Sequence, residues 1–146
     1  MILHTKYTGL RENDFNAYEG AFSDSLAEYV LAAALHFNKK VPDLLQNRVA
    51  KKWDKFVMPT LAGKTMGFVG FGHIGQTTAA VAKAFGMTVM ALRRHPAKAE
   101  EGGGLADVTL GPGDKRRLFE ESDFVVSVLP GTPETLNYCG AASHGP

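Results

Sequence analysis

The sequence feature that most constrains the fold is a glycine motif, GFGHIG, at residues 70–75. A short apolar run at residues 65–69 precedes the motif, and residues 74–85 have the composition and spacing of a helix. A strand, a glycine turn and a helix in that order form the context in which G-x-G-x-x-G binds the diphosphate of a dinucleotide. The alternative interpretation is an ordinary strand-to-helix turn in another α/β protein.

Each glycine of the motif has its own predicted role. Gly70 allows the tight turn, Gly72 lets the backbone approach a pyrophosphate, and Gly75 lets the helix pack close to the strand. The first turn of the helix adds unpaired N–H groups and the positive end of a helix dipole. We therefore expect a diphosphate to lie against the amides of the three glycines.

The helix after the motif carries two further expectations. Its residues Ile74, Thr78, Val81 and Phe85 follow one another at spacings of four, three and four, which predicts that they share one face. Gly86 lies where a C-cap glycine belongs. A second strand, residues 88–92, follows at the distance expected for a βαβ unit.

Two helices are predicted ahead of this unit. Residues 25–28 (SLAE) fit the spacing of a capping box, and a helix should extend from there to about Asn38. Pro42 is placed as a first-turn residue of a second helix, which should end near Lys52. Trp53 is then expected to act as a packing anchor. The predicted apolar face of the first helix consists of Leu26, Tyr29, Val30, Ala33, Ala34 and Phe37.

Length, charge and cysteine content narrow the functional class. The 146 residues suffice for one domain or for a piece of a larger one, and the net charge of +1 gives no reason to expect nucleic acid or membrane as a partner. No apolar run approaches membrane-spanning length. The single cysteine excludes an internal disulfide and favours a reducing compartment. The expected location is the cytoplasm, with an organelle as the alternative, and no metal-binding residue is assigned.

The residues after the second strand bear on the choice of cofactor. An acidic residue there would accept hydrogen bonds from the adenosine-ribose hydroxyls of NAD. This chain instead has Arg93 and Arg94. A guanidinium suits a 2′-phosphate, because its planar fork can donate two charge-assisted hydrogen bonds to the phosphate oxygens. The sequence therefore favours NADP over NAD, the alternative being that both arginines are solvated loop residues.

Two more strands complete the predicted sheet. Residues 107–110 predict a short strand, residues 115–121 a brief helix, and the continuous apolar run at 124–129 a strand buried on both faces. Four strands are about two thirds of a six-stranded doubly wound sheet. The sequence thus predicts an incomplete Rossmann-type α/β fold with a parallel sheet, preceded by a two-helix arm. Its last strand should become an exposed edge, which predicts marginal stability.

Six stretches of the chain together resemble a known family. They are residues 16–20, 25–28, 52–54, 61–67 leading into the glycine motif, 83–87 and 122–135. They are similar to the nucleotide-binding domain of the D-isomer-specific 2-hydroxyacid dehydrogenases. The similarity extends over about residues 16–140, and the combination of stretches is far more specific than the glycine motif alone.

The resemblance implies an oxidoreductase that transfers a hydride between a nicotinamide cofactor, NAD or NADP, and a 2-hydroxy or 2-oxo acid. It implies that His73 and Ile74 follow the phosphate turn against the cofactor. It also implies that Arg93 occupies the ribose-selecting position, and that Leu129 and Pro130 line the dinucleotide cleft.

The resemblance further implies how the chain is organised. Residues 1–22 are similar to a remnant of the family's substrate domain and hinge, and residues 23–146 to a truncated NAD(P)-binding domain. The helical arm, residues 25–53, is similar to the part through which family members form homodimers. The family's catalytic arginine, acidic residue and histidine lie downstream of the stretch where this chain ends, so no catalytic residue is expected in it. The alternatives are a non-catalytic dinucleotide-binding or dimerisation module, or an inert fragment.

Overall fold

A parallel four-stranded sheet organises the structure, a computed structural model that describes residues 22–96 and 104–140. The strands lie in the order β3-β2-β1-β4, and every neighbouring pair is parallel. This order matches one half of a doubly wound sheet extended across its switch point, so the predicted incomplete Rossmann-type fold is confirmed. The strands are β1 Thr65–Val69, β2 Thr88–Leu92, β3 Val108–Leu110 and β4 Phe124–Ser127.

Helices cover both faces of this sheet. The first helix packs against the third, and these two lie on one face, while the fourth packs on the other face against the two central strands. Short 3-10 turns at Pro112–Asp114 and Pro133–Thr135 lie near the carboxyl ends of the strands. The helices are α1 Ser23–Asn38, α2 Val41–Val49, α3 His73–Ala84 and α4 Lys115–Glu121.

The alternation of side chains along each strand produces two apolar cores. Met66 and Phe68 of β1 pack with α1 and α3 on one face, whereas Val69 packs with Leu118 of α4 on the other. In β1 and β2 every residue after the first is buried. These two strands therefore form the centre of the sheet, as their apolar sequences predict.

The fourth strand differs from its prediction. It ends at Ser127 instead of residue 129, and Val126 is its one buried residue. The strand pairs with β1 on one side and is the last strand of the sheet, so much of its apolar surface is not covered. The expectation of burial on both faces was wrong, whereas the expectation of an exposed edge is confirmed.

Helix α1 begins earlier and faces differently than the sequence pattern predicts. Its first residue is Ser23 and its N-cap is Phe22, so residues 25–28 do not act as a capping box. Tyr29 and Phe37 are 53% and 59% exposed. The buried residues are smaller on average and let α1 lie close to α3, which moves the buried face away from the aromatic side chains. These residues are Ser23, Ala27, Val30, Leu31, Ala34 and Asn38.

The rest of the arm is largely uncovered. Helix α2 ends at Val49 and buries none of its residues. Beyond it Lys51 adopts a left-handed conformation with φ of 52°, and no regular helix continues to Lys52. Trp53 is 93% exposed, so the prediction of a packing anchor was wrong for this chain on its own. Nothing within residues 22–96 and 104–140 packs over it closely enough to bury it.

Helix α3 also turns a different face inward than predicted. Thr78 is buried, but Val81 and Phe85 are 37% and 42% exposed. Gly75, Ala79 and Ala82 are buried instead, because small residues let the helix approach both the sheet and α1.

The end of α3 has the predicted cap. Gly86 has φ of +74°, its amide donates to the Lys83 carbonyl, and the Met87 amide donates to the Ala82 carbonyl. This double hydrogen bond across a left-handed glycine is the geometry of a glycine C-cap.

Some expectations lie beyond the described part of the chain. The domain assigned to residues 1–22 lies outside the described residues except for Phe22. The stretch at residues 16–20, which is part of the family resemblance, also lies outside them. Within the described residues, no helix is long and apolar enough to cross a membrane. No group of three or more histidine, cysteine or acidic side chains in the same ranges is arranged to hold a metal ion.

Candidate functional site

The carboxyl ends of three strands meet at one edge of the sheet. Val69 of β1 is in register with Leu92 of β2 and with Ser127 of β4. The next residue of each strand therefore emerges at the same level, which places Gly70 beside Arg93. This is the edge at which open parallel sheets bind ligands, at the point where the strand order reverses.

Gly70 makes the turn that leaves this edge, and only a glycine fits there. Its φ is +88°, and a β-carbon would lie 3.1 Å from Leu129 Cδ2 and 3.3 Å from the Val128 carbonyl oxygen. Its amide donates to the Leu92 carbonyl at 3.1 Å. Gly70 therefore shapes the turn, and its amide is hydrogen-bonded to β2. This differs from the expectation that all three glycine amides face a diphosphate.

The amides open to a ligand are those at the start of α3. Gly72 is the N-cap, and the first amide that bonds back to it is that of Gln76, at 2.9 Å. The N–H groups of His73, Ile74 and Gly75 precede that bond and have no intrahelical acceptor. A β-carbon built at Gly72 meets nothing within 4 Å, so the approach is open. The helix dipole adds a partial positive charge at this position.

Gly75 allows α3 to lie close to the turn. A β-carbon there would stand 3.4 Å from the Gly70 carbonyl oxygen and 3.5 Å from Val128 Cγ2. These distances are at van der Waals contact, so the predicted close packing of helix and strand is observed, with room for little more than a methyl group.

The side chain of His73 reaches back to the helical arm. Its Nδ1 lies 2.7 Å from Oγ of Ser23, a buried residue in the first turn of α1. The hydrogen bond couples the start of α1 to the start of α3. The ring of His73 is therefore engaged with α1, while its backbone amide remains without an intrahelical acceptor at the start of α3.

The two arginines after β2 have different environments. Arg93 donates from Nη2 to the Phe71 carbonyl at 3.0 Å, and its guanidinium carbon lies 5.2 Å from the centre of the Phe71 ring. Arg93 is thereby held against the glycine turn. Arg94 is exposed, and within residues 22–96 and 104–140 its guanidinium forms no hydrogen bond and no ion pair closer than 4.0 Å. Its guanidinium is therefore in a position to meet an anion in the cleft.

A cleft of about 180 Å³ lies at this edge. Gly70, Arg93, Arg94 and Leu129 line it, which brings together predicted site residues from three separate strand ends. The open N-terminus of α3, with Gly72, His73, Ile74 and Gly75, is not part of the lining and continues from Gly70 along the chain. Pro130 is exposed beside Leu129, and its carbonyl accepts the Thr132 amide at 3.0 Å instead of lining the cleft.

The comparison with known proteins identifies the family. Residues 31–143 match the model of the D-isomer specific 2-hydroxyacid dehydrogenase, NAD binding domain. The chain belongs to the D-isomer specific 2-hydroxyacid dehydrogenase family. Within that family, the described sheet and glycine turn are the NAD-binding part.

Individual family members are similar in sequence and in structure. The hydroxypyruvate reductase of Thermotoga maritima is 38% identical over 122 residues, which cover 80% of this chain and 36% of that protein. A glycerate dehydrogenase related protein from Thermoplasma acidophilum has a TM-score of 0.67 and 33% identity, and the match covers 80% of this chain and 39% of that one. A probable 2-hydroxyacid dehydrogenase from Rhizobium etli CFN 42, solved in complex with NADP, HEPES and L(+)-tartaric acid, has a TM-score of 0.68 and 27% identity, covering 79% and 35% of the two chains.

This chain corresponds to a part of those dehydrogenases. It spans between 20% and 40% of the length of the curated relatives that it matches. The matched part is the one that holds the cofactor, and the family model covers it from within α1 to beyond the last described turn. The described residues thus account for cofactor binding in this dehydrogenase family, which is the function that the glycine motif predicts.

One charged residue of the cleft was not among the predicted site residues. Glu134 lines the cleft opposite the end of β2, from the 3-10 turn that follows β4. A hydrogen bond from Thr132 holds the pKa of the Glu134 carboxyl below its usual value, with help from the backbone and from the positive charge of Arg94. The signal in the sequence was its position, since residues 132–135 lie shortly after β4, whose carboxyl end forms part of the binding edge.

Proposed function

We propose that this chain binds NADP in preference to NAD, as the cofactor-binding part of a dehydrogenase that interconverts a 2-hydroxy acid and a 2-oxo acid. The observation that carries the proposal is the pairing of an open helix N-terminus with the exposed Arg94, on either side of Gly70. The first can hold a diphosphate and the second a 2′-phosphate.

The residues present fit a dinucleotide. The open space at Gly72 admits a pyrophosphate to the amides of His73, Ile74 and Gly75. Apolar groups of Leu92 and Leu129 in the cleft suit an adenine ring, and Arg94 lies at its rim. The bound nicotinamide would supply the hydride, while the described residues bind and orient the cofactor.

The names of the relatives support a small 2-oxo acid as substrate of the whole dehydrogenase. The relative from Thermotoga maritima is a hydroxypyruvate reductase, and one from Thermococcus litoralis is a glyoxylate reductase. We propose the same substrate class here. No described residue is proposed as a proton donor or as a ligand of the substrate carboxylate.

A binding experiment tests the cofactor assignment. Calorimetric titration of the full chain should give tighter binding of NADPH than of NADH. Arg94→Ala should weaken NADPH binding by about tenfold, the equivalent of ~1.4 kcal/mol, because it removes a charge-assisted contact to the phosphate. It should change NADH binding by less than about twofold, since NADH lacks that phosphate.

Arg116→Ala serves as the control, since it removes the same charge from an exposed position on α4, outside both the cleft and the helical arm. It should leave both affinities unchanged. A preference of the wild-type chain for NADH, or an equal loss of both affinities in Arg94→Ala, would contradict the NADP assignment.

We further propose that the protein forms a homodimer through its helical arm, residues 25–53. The support is the uncovered apolar surface of α2 and the segment after it, where Val49 and Trp53 are 85% and 93% exposed. Large apolar side chains that are this exposed are typical of protein interfaces. The family resemblance of the arm points to the same surface.

We infer a cytoplasmic location from the composition. The chain has one cysteine, Cys139, which is a free thiol in the structure. Proteins of reducing compartments typically lack disulfides. The net charge of +1 supports the proposal that neither nucleic acid nor a membrane is a partner.

A further inference from the structure

Charges of both signs face the same cleft. Arg94 enters it from the end of β2, and Glu134 enters it from the 3-10 turn after β4. Arg94 and Glu134 do not form an ion pair, because their charged atoms are more than 4.0 Å apart, unlike those of the ion pairs elsewhere in the described residues. A ligand in the cleft would therefore meet a separate positive and a separate negative group.

We propose that Glu134 is a specificity-determining residue of this cleft, which limits the preference of the protein for a cofactor that carries a 2′-phosphate. The inference rests on the proposed function, because it requires a dinucleotide in the cleft. Glu134, in the 3-10 turn after β4, is then a second specificity determinant beside the arginines at the end of β2. Neither the glycine motif nor the family comparison assigns this role to it.

The backbone of Glu134 is held in place by its turn. The Thr132 amide donates to Thr135 Oγ1 at 3.0 Å, and the Leu136 amide donates to the Thr132 carbonyl at 3.1 Å. Thr135 Oγ1 also donates to the Pro130 carbonyl. The carboxylate therefore starts from a fixed position at the cleft and does not depend on a long loop.

The charge of Glu134 persists at the pH at which a dehydrogenase works. The hydrogen bond from Thr132 favours the ionised carboxylate, and Arg94 across the cleft favours it further. A 2′-phosphate brings added negative charge to the same space. It is attracted by Arg94 and repelled by Glu134, whereas the ribose hydroxyls of NADH are neutral and are little affected.

The expected size of the effect of Glu134 on NADPH affinity depends on how exposed its side chain is. Glu134 is a solvent-exposed side chain, so water and salt screen its interaction with the phosphate. We expect a change of a few-fold in affinity, about threefold to tenfold at low ionic strength, and a smaller change at higher salt.

The test is a titration of the full chain and its Glu134→Gln variant with NADPH and with NADH. Glu134→Gln should tighten NADPH binding by about threefold to tenfold and change NADH binding by less than about twofold. Repeating the titrations at about 0.5 M salt should reduce the gain for NADPH. Glu134→Ala provides a second variant without the amide, with the same expected direction.

Glu120→Gln is the matched control. It removes the same charge from an exposed residue of α4, near the opposite edge of the sheet, where Asp123 bonds the amino end of β1. This control should not change the ratio of the two affinities. An effect equal to that of Glu134→Gln would show a general change of net charge and would overturn the inference.

The outcomes separate the two proposals. If the wild-type chain binds NADPH and NADH but the Glu134 variants leave their ratio unchanged, the specificity role is wrong and the cofactor site stands. If the variants weaken NADH, Glu134 holds the ribose hydroxyls instead and the inference is again overturned. If the wild-type chain binds neither cofactor, the proposed function fails, and the role of Glu134 fails with it.

Discussion

At the scale of single residues, two glycines of one motif perform different tasks. Gly70 has a left-handed conformation, and a β-carbon on it would crowd Leu129 and the Val128 backbone, whereas Gly72 has an extended conformation and faces open space. The first is required by the fold, since any β-carbon there is strained and crowded. The second is required by a ligand that approaches the backbone.

Replacing each glycine with alanine should separate these tasks. Gly70→Ala should lower the free energy of unfolding by about 2 kcal/mol or more, because it adds a strained φ to a contact of 3.1 Å. Gly72→Ala should cost less than about 1 kcal/mol of stability, since its φ is negative and the space is open. It should nevertheless weaken cofactor binding.

Urea denaturation of the two variants measures the difference, and each variant is the control of the other. Equal losses of stability would show that the turn does not depend on the conformation of Gly70.

At the scale of elements, two carboxylates fasten strands at the edge opposite the cleft. Asp123 accepts the Thr65 amide at 2.8 Å and Lys64 Nζ at 3.0 Å, which ties the start of β4 to the start of β1. Asp107 accepts from Lys83 Nζ and from the Val89 amide, which ties the segment before β3 to β2 and α3. These contacts hold the amino ends of the strands while the carboxyl ends form the site.

The same contacts predict a dependence of stability on pH. The Lys83 hydrogen bond lowers the pKa of Asp107, and the Thr65 amide lowers the pKa of Asp123. A carboxyl whose pKa is lower in the folded than in the unfolded state stabilises the fold above the unfolded pKa. That stabilisation is lost as the pH falls through the folded pKa. Stability should therefore fall below about pH 4, by ~1 kcal/mol or less for each carboxyl, because both are partly exposed.

Thermal unfolding between about pH 2.5 and pH 6 measures this dependence. Asp107→Asn and Asp123→Asn should each reduce the acid-induced loss of stability relative to the wild type. An unchanged acid dependence in the double variant would assign the loss to other groups.

The elements also show how far the sequence alone predicts this structure. Strands β1 and β2 and helix α4 have the bounds predicted from their apolar runs and composition, because buried parallel strands have a strong local signal. The predicted faces of α1 and α3 were right in part, since Val30, Ala34 and Thr78 are buried, and wrong for their aromatic residues, which are exposed. Both helices pack through small residues such as Ala27 and Ala79, whose burial depends on how closely the helices approach and not on hydrophobicity.

The site was predictable where it follows the chain and less so where it depends on contacts across the fold. The glycine turn and the arginine pair follow from motif and position. The different environments of Arg93 and Arg94 could not be predicted in this way. They depend on the Phe71 carbonyl and ring, which only the folded turn places beside Arg93. Glu134 enters the cleft in the same way, from a turn after the fourth strand.

At the scale of the whole molecule, the described structure has two uncovered surfaces. One is the free edge of β4, whose strand has one buried residue. The other is the arm, where Val49 and Trp53 are exposed. Unpaired edges and apolar patches favour association, so marginal stability of the isolated chain remains a prediction.

The exposed apolar side chains of the arm predict that the protein is a dimer in solution. Light scattering coupled to size exclusion should give twice the chain mass of 15.7 kDa for the wild type and the monomer mass for Val49→Ser with Trp53→Ser. Leu136→Ser removes an exposed apolar side chain from the turn after β4 and should leave the dimer intact. A wild-type monomer, or a dimer lost equally in the Leu136 variant, would contradict dimerisation through the arm.

The central claim is that a dinucleotide diphosphate lies at the N-terminus of α3. The most direct measurement is a titration of the ¹⁵N-labelled chain with NADPH, followed through its backbone amide resonances. The largest shifts should occur at Gly72, His73, Ile74 and Gly75, with smaller shifts at Gly70, whose amide is bonded to β2. Saturable binding that leaves the first turn of α3 unperturbed, or no binding at millimolar NADPH and NADH, would contradict the claim.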